Sequence, residues 1–175
     1  MFRRFFILIA ISLVITVDQS ASAHLIKENH AQLTFRDKGA YFMASYPVQA
    51  FRGFDDDKDG LMSAKELSQH EVELKRQVLN AVNLSELKDE GPPQKAELEG
   101  LLLNLSHRHH SHVGADHLIV IGRFKTGVRG KKHFRSALFS HEAPRPLKLR
   151  VSHHGLHLLR ELTHTSMSVE LNPIE

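Results

Sequence analysis

Residues 55–66 read DDDKDGLMSAKE. Asp55, Asp57 and Asp59 alternate, Gly60 follows, and Glu66 stands seven positions after Asp59. This is the D-x-D-x-D-G-x5-E spacing of an EF-hand calcium loop. A hard divalent cation gathers roughly six to eight oxygen ligands around one point. Three short carboxylates at alternate positions wrap one side of it, and Gly60 permits a sharp turn that a residue with a Cβ makes only with strain. Leu61 is then expected to offer its backbone carbonyl, Ser63 a hydroxyl or a bridged water, and Glu66 a bidentate carboxylate. Met62 is the apolar position expected to tether the loop to a core.

Working outward from this loop, the pattern upstream has the period of strands. In residues 31–36, Ala31, Leu33 and Phe35 share one face. Asp37-Lys38-Gly39 makes a turn, and Ala40, Phe42, Ala44 and Tyr46 again alternate, so the stretch predicts a β-hairpin. Pro47 stops the second strand and suits the first turn of a helix. Val48, Phe51 and Phe54 then form the apolar stripe of a short entering helix. Downstream, Ser63 and Glu66 make the S-x-x-E capping box. Leu67, Glu71, Leu74, Val78 and Val82 follow at helical spacing, with Leu79 beside them, which predicts a helix over 64–81. Glu71–Lys75 and Glu66–His70 stand four apart on its surface. The EF-hand as a whole is expected at about 47–82, with no second calcium loop to pair with it.

The rest of the chain reads mostly as strands. Residues 83–94, with Gly91-Pro92-Pro93, are expected to be a loop. Residues 95–106 fit strand or helix, and strand is preferred because strands follow. Residues 107–116 are a histidine-rich loop. His117–Lys125 is apolar and β-rich, 127–130 turns it, and Lys132–Phe139 returns as its partner. Leu147–Ser152, a turn at His153-His154-Gly155, and Leu156–Thr165 form a second hairpin, and Met167–Leu171 closes the sheet. About seven short strands with one long helix after the second predict a mainly β, sandwich-like domain carrying a helix–loop–helix EF-hand excursion.

Composition sets the setting. Arg3 and Arg4, the apolar run Phe5–Val17 and Ala21-Ser22-Ala23 have the form of a secretory signal peptide over residues 1–23, leaving 24–175 as a single domain, exported to a periplasmic or secreted location. The run is too short to span a bilayer comfortably. The 175 residues hold no cysteine, which excludes disulfides and thiolate metal sites. The formal charge of +3 drops by one when Arg3, Arg4 and Asp18 leave with the signal, so nothing points to nucleic acid as a partner.

The order of a signal peptide, a hairpin ending near a proline, the segment Tyr46-Pro47-Val48-Gln49-Ala50-Phe51, the acidic loop, a helix and several strands resembles the extracytoplasmic N-terminal domain of HupE/UreJ-type bacterial membrane proteins, the hydrogenase and urease accessory group. The likeness spans roughly Ala31 to Val82 and more loosely continues to Arg123. It implies an extracytoplasmic module that works with a membrane protein or another periplasmic protein. The multi-helix membrane domain that follows the module in that family has no counterpart in the sequence through Glu175.

Fourteen histidines occur, eleven of them from His107 onward. His107, His109, His110 and His112 crowd one loop, and His153, His154 and His157 another. Imidazole suits zinc, nickel and copper, so these loops are an alternative, transition-metal-carrying site should they converge. Nucleophile-elbow, zincin and phosphate-loop motifs are missing, so the residues point to binding rather than catalysis. The reading favoured by the sequence is an exported module in which Ca2+ orders the acidic loop against a β body.

Overall fold

The computed structural model describes residues 26–37, 39–106, 114–140 and 144–172. The proposed signal segment and His107, His109, His110 and His112 lie outside the described residues.

The hairpin predicted upstream of the loop forms as read. Strands β1 (His30–Arg36) and β2 (Gly39–Pro47) pair antiparallel from Ala31↔Ala44 to Arg36↔Gly39. Ala31, Leu33 and Phe35 on one strand and Ala40, Phe42, Ala44 and Tyr46 on the other are buried. Further strands are β3 (Val82–Glu86), β4 (Gln94–Lys95), β5 (Glu97–Ser106), β6 (His117–Lys125), β7 (Lys132–Ser136), β8 (Leu147–His153), β9 (Leu156–Leu162) and β10 (Ser168–Leu171). They make a six-stranded sheet in the order β5-β6-β2-β1-β8-β9 and a four-stranded sheet in the order β10-β7-β3-β4. The β1–β8 pair is parallel; β2 is zipped to β6 from Ala40↔Phe124 to Pro47↔His117. Apolar faces of both sheets join one core. Phe42 of the larger sheet packs on Phe134 of the smaller at 5.8 Å between ring centres, and the buried Tyr46 hydroxyl bonds Ser136 Oγ at 3.0 Å.

Three expectations need correction. The helix–loop–helix is not formed: among the described residues α1 (Ala64–Ala81) is the one α-helix. Where the entering helix is expected, a single 3-10 turn covers Val48–Ala50, and Phe51 returns to extended backbone at φ −105°, ψ 103°. Few residues separate Pro47 from the turn at Gly53 (φ +80°), too few to repay helix nucleation, and one tight turn already buries Val48 and Phe51 together. The segment expected to be a loop at 83–94 begins instead with β3, because Val82 and Leu84 alternate into the core and pair with β7. Lys132–Phe139 does not return along β6; its strand, β7, lies between β3 and β10 in the other sheet. The turn after β6 is an arch between layers, since Phe134 and Phe42 reach each other only if the two strands face across the core.

Helix α1 is placed as predicted. Leu74 and Val78 are buried and Leu67 is half-buried, while Leu79 and Val72 face outward. The helix lies over β5 and β3, and Glu71–Lys75 closes at 2.7 Å.

Candidate metal centre

The acidic loop joins the end of the hairpin layer to α1. Oxygens of Asp55, Asp57 and Asp59 lie within 4.8 Å of one another. Calcium–oxygen distances of about 2.4 Å place oxygens on opposite sides of one ion about 4.8 Å apart, so the trio has the span of one coordination sphere. The backbone is bent to achieve this. Lys58 (φ +60°) and Gly60 (φ +81°) both take left-handed conformations. The turned amides point inward: Gly60 N–H donates to Asp55 Oδ2 at 2.9 Å, Leu61 N–H to Asp59 Oδ1 at 2.7 Å, and Asp59 N–H to Asp55 Oδ1 at 3.2 Å.

Glu66 is not part of that trio. Its carboxylate, on a residue only 5 % exposed, closes the capping box: Oε2 accepts from Ser63 N at 2.8 Å and Ser63 Oγ at 2.7 Å, while Glu66 N donates back to Ser63 Oγ at 3.2 Å. Oε1 accepts from the Asp56 amide at 2.8 Å. The Ser63 bonds, first its hydroxyl and then its amide, hold the Glu66 carboxyl below the usual carboxylate range against the opposing effect of burial. Asp57 shows the reverse balance. The Asp59 amide pulls its pKa down, but desolvation and the negative charges of Asp59 and Glu66 together leave it above the ordinary value. The arrangement is therefore a concentration of like charge that a cation would relieve.

Two contacts not legible in the sequence fasten the loop. His70 does not pair with Glu66; its Nε2 stands 3.0 Å from both oxygens of Asp56, and its ring lies 5.4 Å from Phe54. Met62 is buried as expected, and its backbone forms a two-bond antiparallel bridge with Ala115, Met62 N to Ala115 O at 2.8 Å and the reciprocal bond at 2.9 Å. The loop is thus sewn to the residues that open β6. One turn upstream, Val48 N donates to Asp116 O at 2.9 Å.

The described histidines of the second cluster do not form a three-ligand group. The rings of His153 and His154 lie 4.2 Å apart, tilted by 60°, while His157 Nδ1 is 2.9 Å from Ser152 Oγ. Among the described residues a second group of potential ligands does exist, Glu28, Asp116 and His117. The only hint of it in the sequence is the adjacent pair Asp116-His117 at a strand start. A depression of about 670 Å³ beside Lys27, Lys148, Arg150 and Arg160 includes none of the loop carboxylates. No described helix is long and apolar enough to cross a membrane.

Compared with protein-family models, the chain matches none, and a search of curated proteins finds no significant relative.

Proposed function

We propose that this chain binds Ca2+ through residues 55–66 and that the ion locks the start of α1 to the β body. The observation that carries the reading is the gathering of three carboxylates within 4.8 Å on a loop turned by Gly60. Asp55, Asp57 and Asp59 would hold the ion with the Leu61 carbonyl and Ser63, and Glu66 would swing from its cap to complete the set. The bridge from Met62 to Ala115 would transmit that order into β6. Half of the EF-hand suffices for this role: the entering side of the loop is pinned by a buried 3-10 turn instead of a helix.

A single loop implies modest affinity, on the order of 10⁻⁴–10⁻³ M as in extracellular modules. Such a site is kept filled where calcium is abundant, so the ion is a structural part of an exported protein rather than a signal. The form of residues 1–23 supports export. The order of hairpin, Pro47, acidic loop, helix and strands supports a place beside the HupE/UreJ extracytoplasmic modules, with a membrane or periplasmic protein as partner and a sandwich-like body as the scaffold.

Calorimetric titration of the chelator-stripped protein with Ca2+ tests the proposal. One saturable equivalent is expected, lost in Asp55→Ala. A protein that takes up no calcium at millimolar concentration, or whose Asp55→Ala variant binds as tightly as the parent, would overturn it.

A further inference from the structure

We infer that Glu28, Asp116 and His117 form a second metal site, one that takes a borderline divalent transition ion such as zinc rather than calcium. Glu28 lies just before β1, and Asp116-His117 opens β6, so residues almost ninety positions apart meet at the same end of the larger sheet. One ligand atom from each lies within 4.8 Å of the others.

The imidazole is what points to an ion. His117 is 6 % exposed, and among the described residues neither ring nitrogen has a hydrogen-bond partner. Its Nδ1 stands 3.2 Å from Asp116 Oδ1, close enough for an ionic contact but out of line for an N–H···O bond. A buried polar ring left in this state is costly, and native structures rarely tolerate it without a water or an ion. An imidazole within reach of two carboxylates is a donor set for a divalent cation.

The donor types choose the ion. Calcium prefers oxygen alone, whereas one imidazole with two carboxylates suits zinc and its neighbours in the first transition row. Tetrahedral zinc, with bonds of about 2.0–2.2 Å, needs its ligand atoms about 3.4 Å apart. Closing from the observed spread takes side-chain movements of about an ångström. This site shares no ligand with the acidic loop, and it stands apart from the calcium reading. It uses none of the histidines of the two histidine-rich loops.

The test is a zinc titration of the chelator-stripped protein in about 10 mM calcium, followed by calorimetry, with Co2+ as a spectroscopic probe. One saturable zinc equivalent is expected, together with a visible Co2+ spectrum of low-symmetry nitrogen–oxygen coordination. Both should survive replacing His107, His109, His110 and His112 by serine. His117→Asn and Glu28→Gln should each weaken zinc by at least about tenfold, since even loss of a supporting residue around a metal costs roughly 10–100-fold. Glu28 is only half-buried, so Glu28→Gln decides the matter should His117→Asn fail to fold. Asp55→Asn should leave zinc binding unchanged, and Glu28→Gln should leave the calcium response unchanged, which separates this site from the loop. Zinc that fails to saturate, that ignores Glu28→Gln, or that disappears with the four serine replacements would overturn the inference.

Discussion

Replacing Glu66 by alanine separates the two jobs assigned to one carboxylate. Without calcium, the variant loses three acceptor contacts, to Ser63 N, Ser63 Oγ and Asp56 N, all at 2.7–2.8 Å. Bonds to a charged acceptor contribute about 1.5–3 kcal/mol each. Ser63 is half-buried and Asp56 is exposed, so water recovers much of the loss, and the net penalty is about 2–3 kcal/mol. For a chain of this size about 1 kcal/mol moves the melting temperature by roughly 2–4 °C, so the variant in chelator should melt about 4–12 °C below the parent. With calcium at about 10 mM and a dissociation constant on the order of 10⁻⁴–10⁻³ M, ligand binding stabilises the parent by about 1.4–2.7 kcal/mol. The parent should therefore rise by about 3–11 °C, and Glu66→Ala by almost nothing. Thermal melts followed by circular dichroism, parent and variant, each with chelator and with calcium, give all four values. Equal calcium shifts in both proteins would remove Glu66 from the ion. Equal stability in chelator would show that the clasp between Ser63, Asp56 and Glu66 contributes nothing.

Other outcomes follow from the same geometry. Asp57→Asn should stabilise the calcium-free protein at neutral pH and weaken it in calcium. Its raised pKa means that ionised Asp57 is disfavoured on folding, a penalty present above the folded pKa and gone below the unfolded value; denaturant melts at pH 7 and pH 3 check the sign. Gly114→Ala should loosen the bridge between Met62 and Ala115 and reduce calcium affinity, because a Cβ there would meet Leu61 Cβ at 2.9 Å and the Met62 carbonyl at 3.2 Å; titration of the variant measures it. Glu86→Gln should flatten the acid limb of stability. The hydrogen bonds from Lys132 and then Thr126 hold the Glu86 carboxyl below its usual range, so its contribution is complete above about pH 4.3 and fades as pH falls through the lower folded value. At neutral pH the same change leaves the buried Lys132, bonded to Glu86 at 2.8 Å, without its counter-charge and should cost up to about 3 kcal/mol. Tyr46→Phe strands the buried Ser136 hydroxyl and should lower stability by about 1–3 kcal/mol, read from urea midpoints.

What could be read from the sequence was what local physics decides. The hairpin followed from apolar residues at every second position between 31 and 46. The helix followed from a capping box and a stripe at 67, 74 and 78, and its bounds fall where they were expected. Residues 55–66 carried their own geometry, because three aspartates at alternate positions and a glycine free to take φ +81° bend the chain almost regardless of what surrounds it. The entering helix failed for a related reason: Val48, Phe51 and Phe54 have helical spacing, but burial against the hairpin was achieved by one tight turn.

Tertiary structure alone decided the rest. Whether β7 pairs with β6 or crosses to a second sheet depends on Phe134 meeting Phe42 across the core, and no window of sequence contains both residues. Asp56 chooses His70 because the folded loop lies beside the first turns of the helix. Glu28 stands beside His117 because β1 and β6 flank β2 in one sheet. Spacing along a chain specifies only neighbours that the chain itself brings together; side chains dozens of residues apart acquire a partner when strand order does.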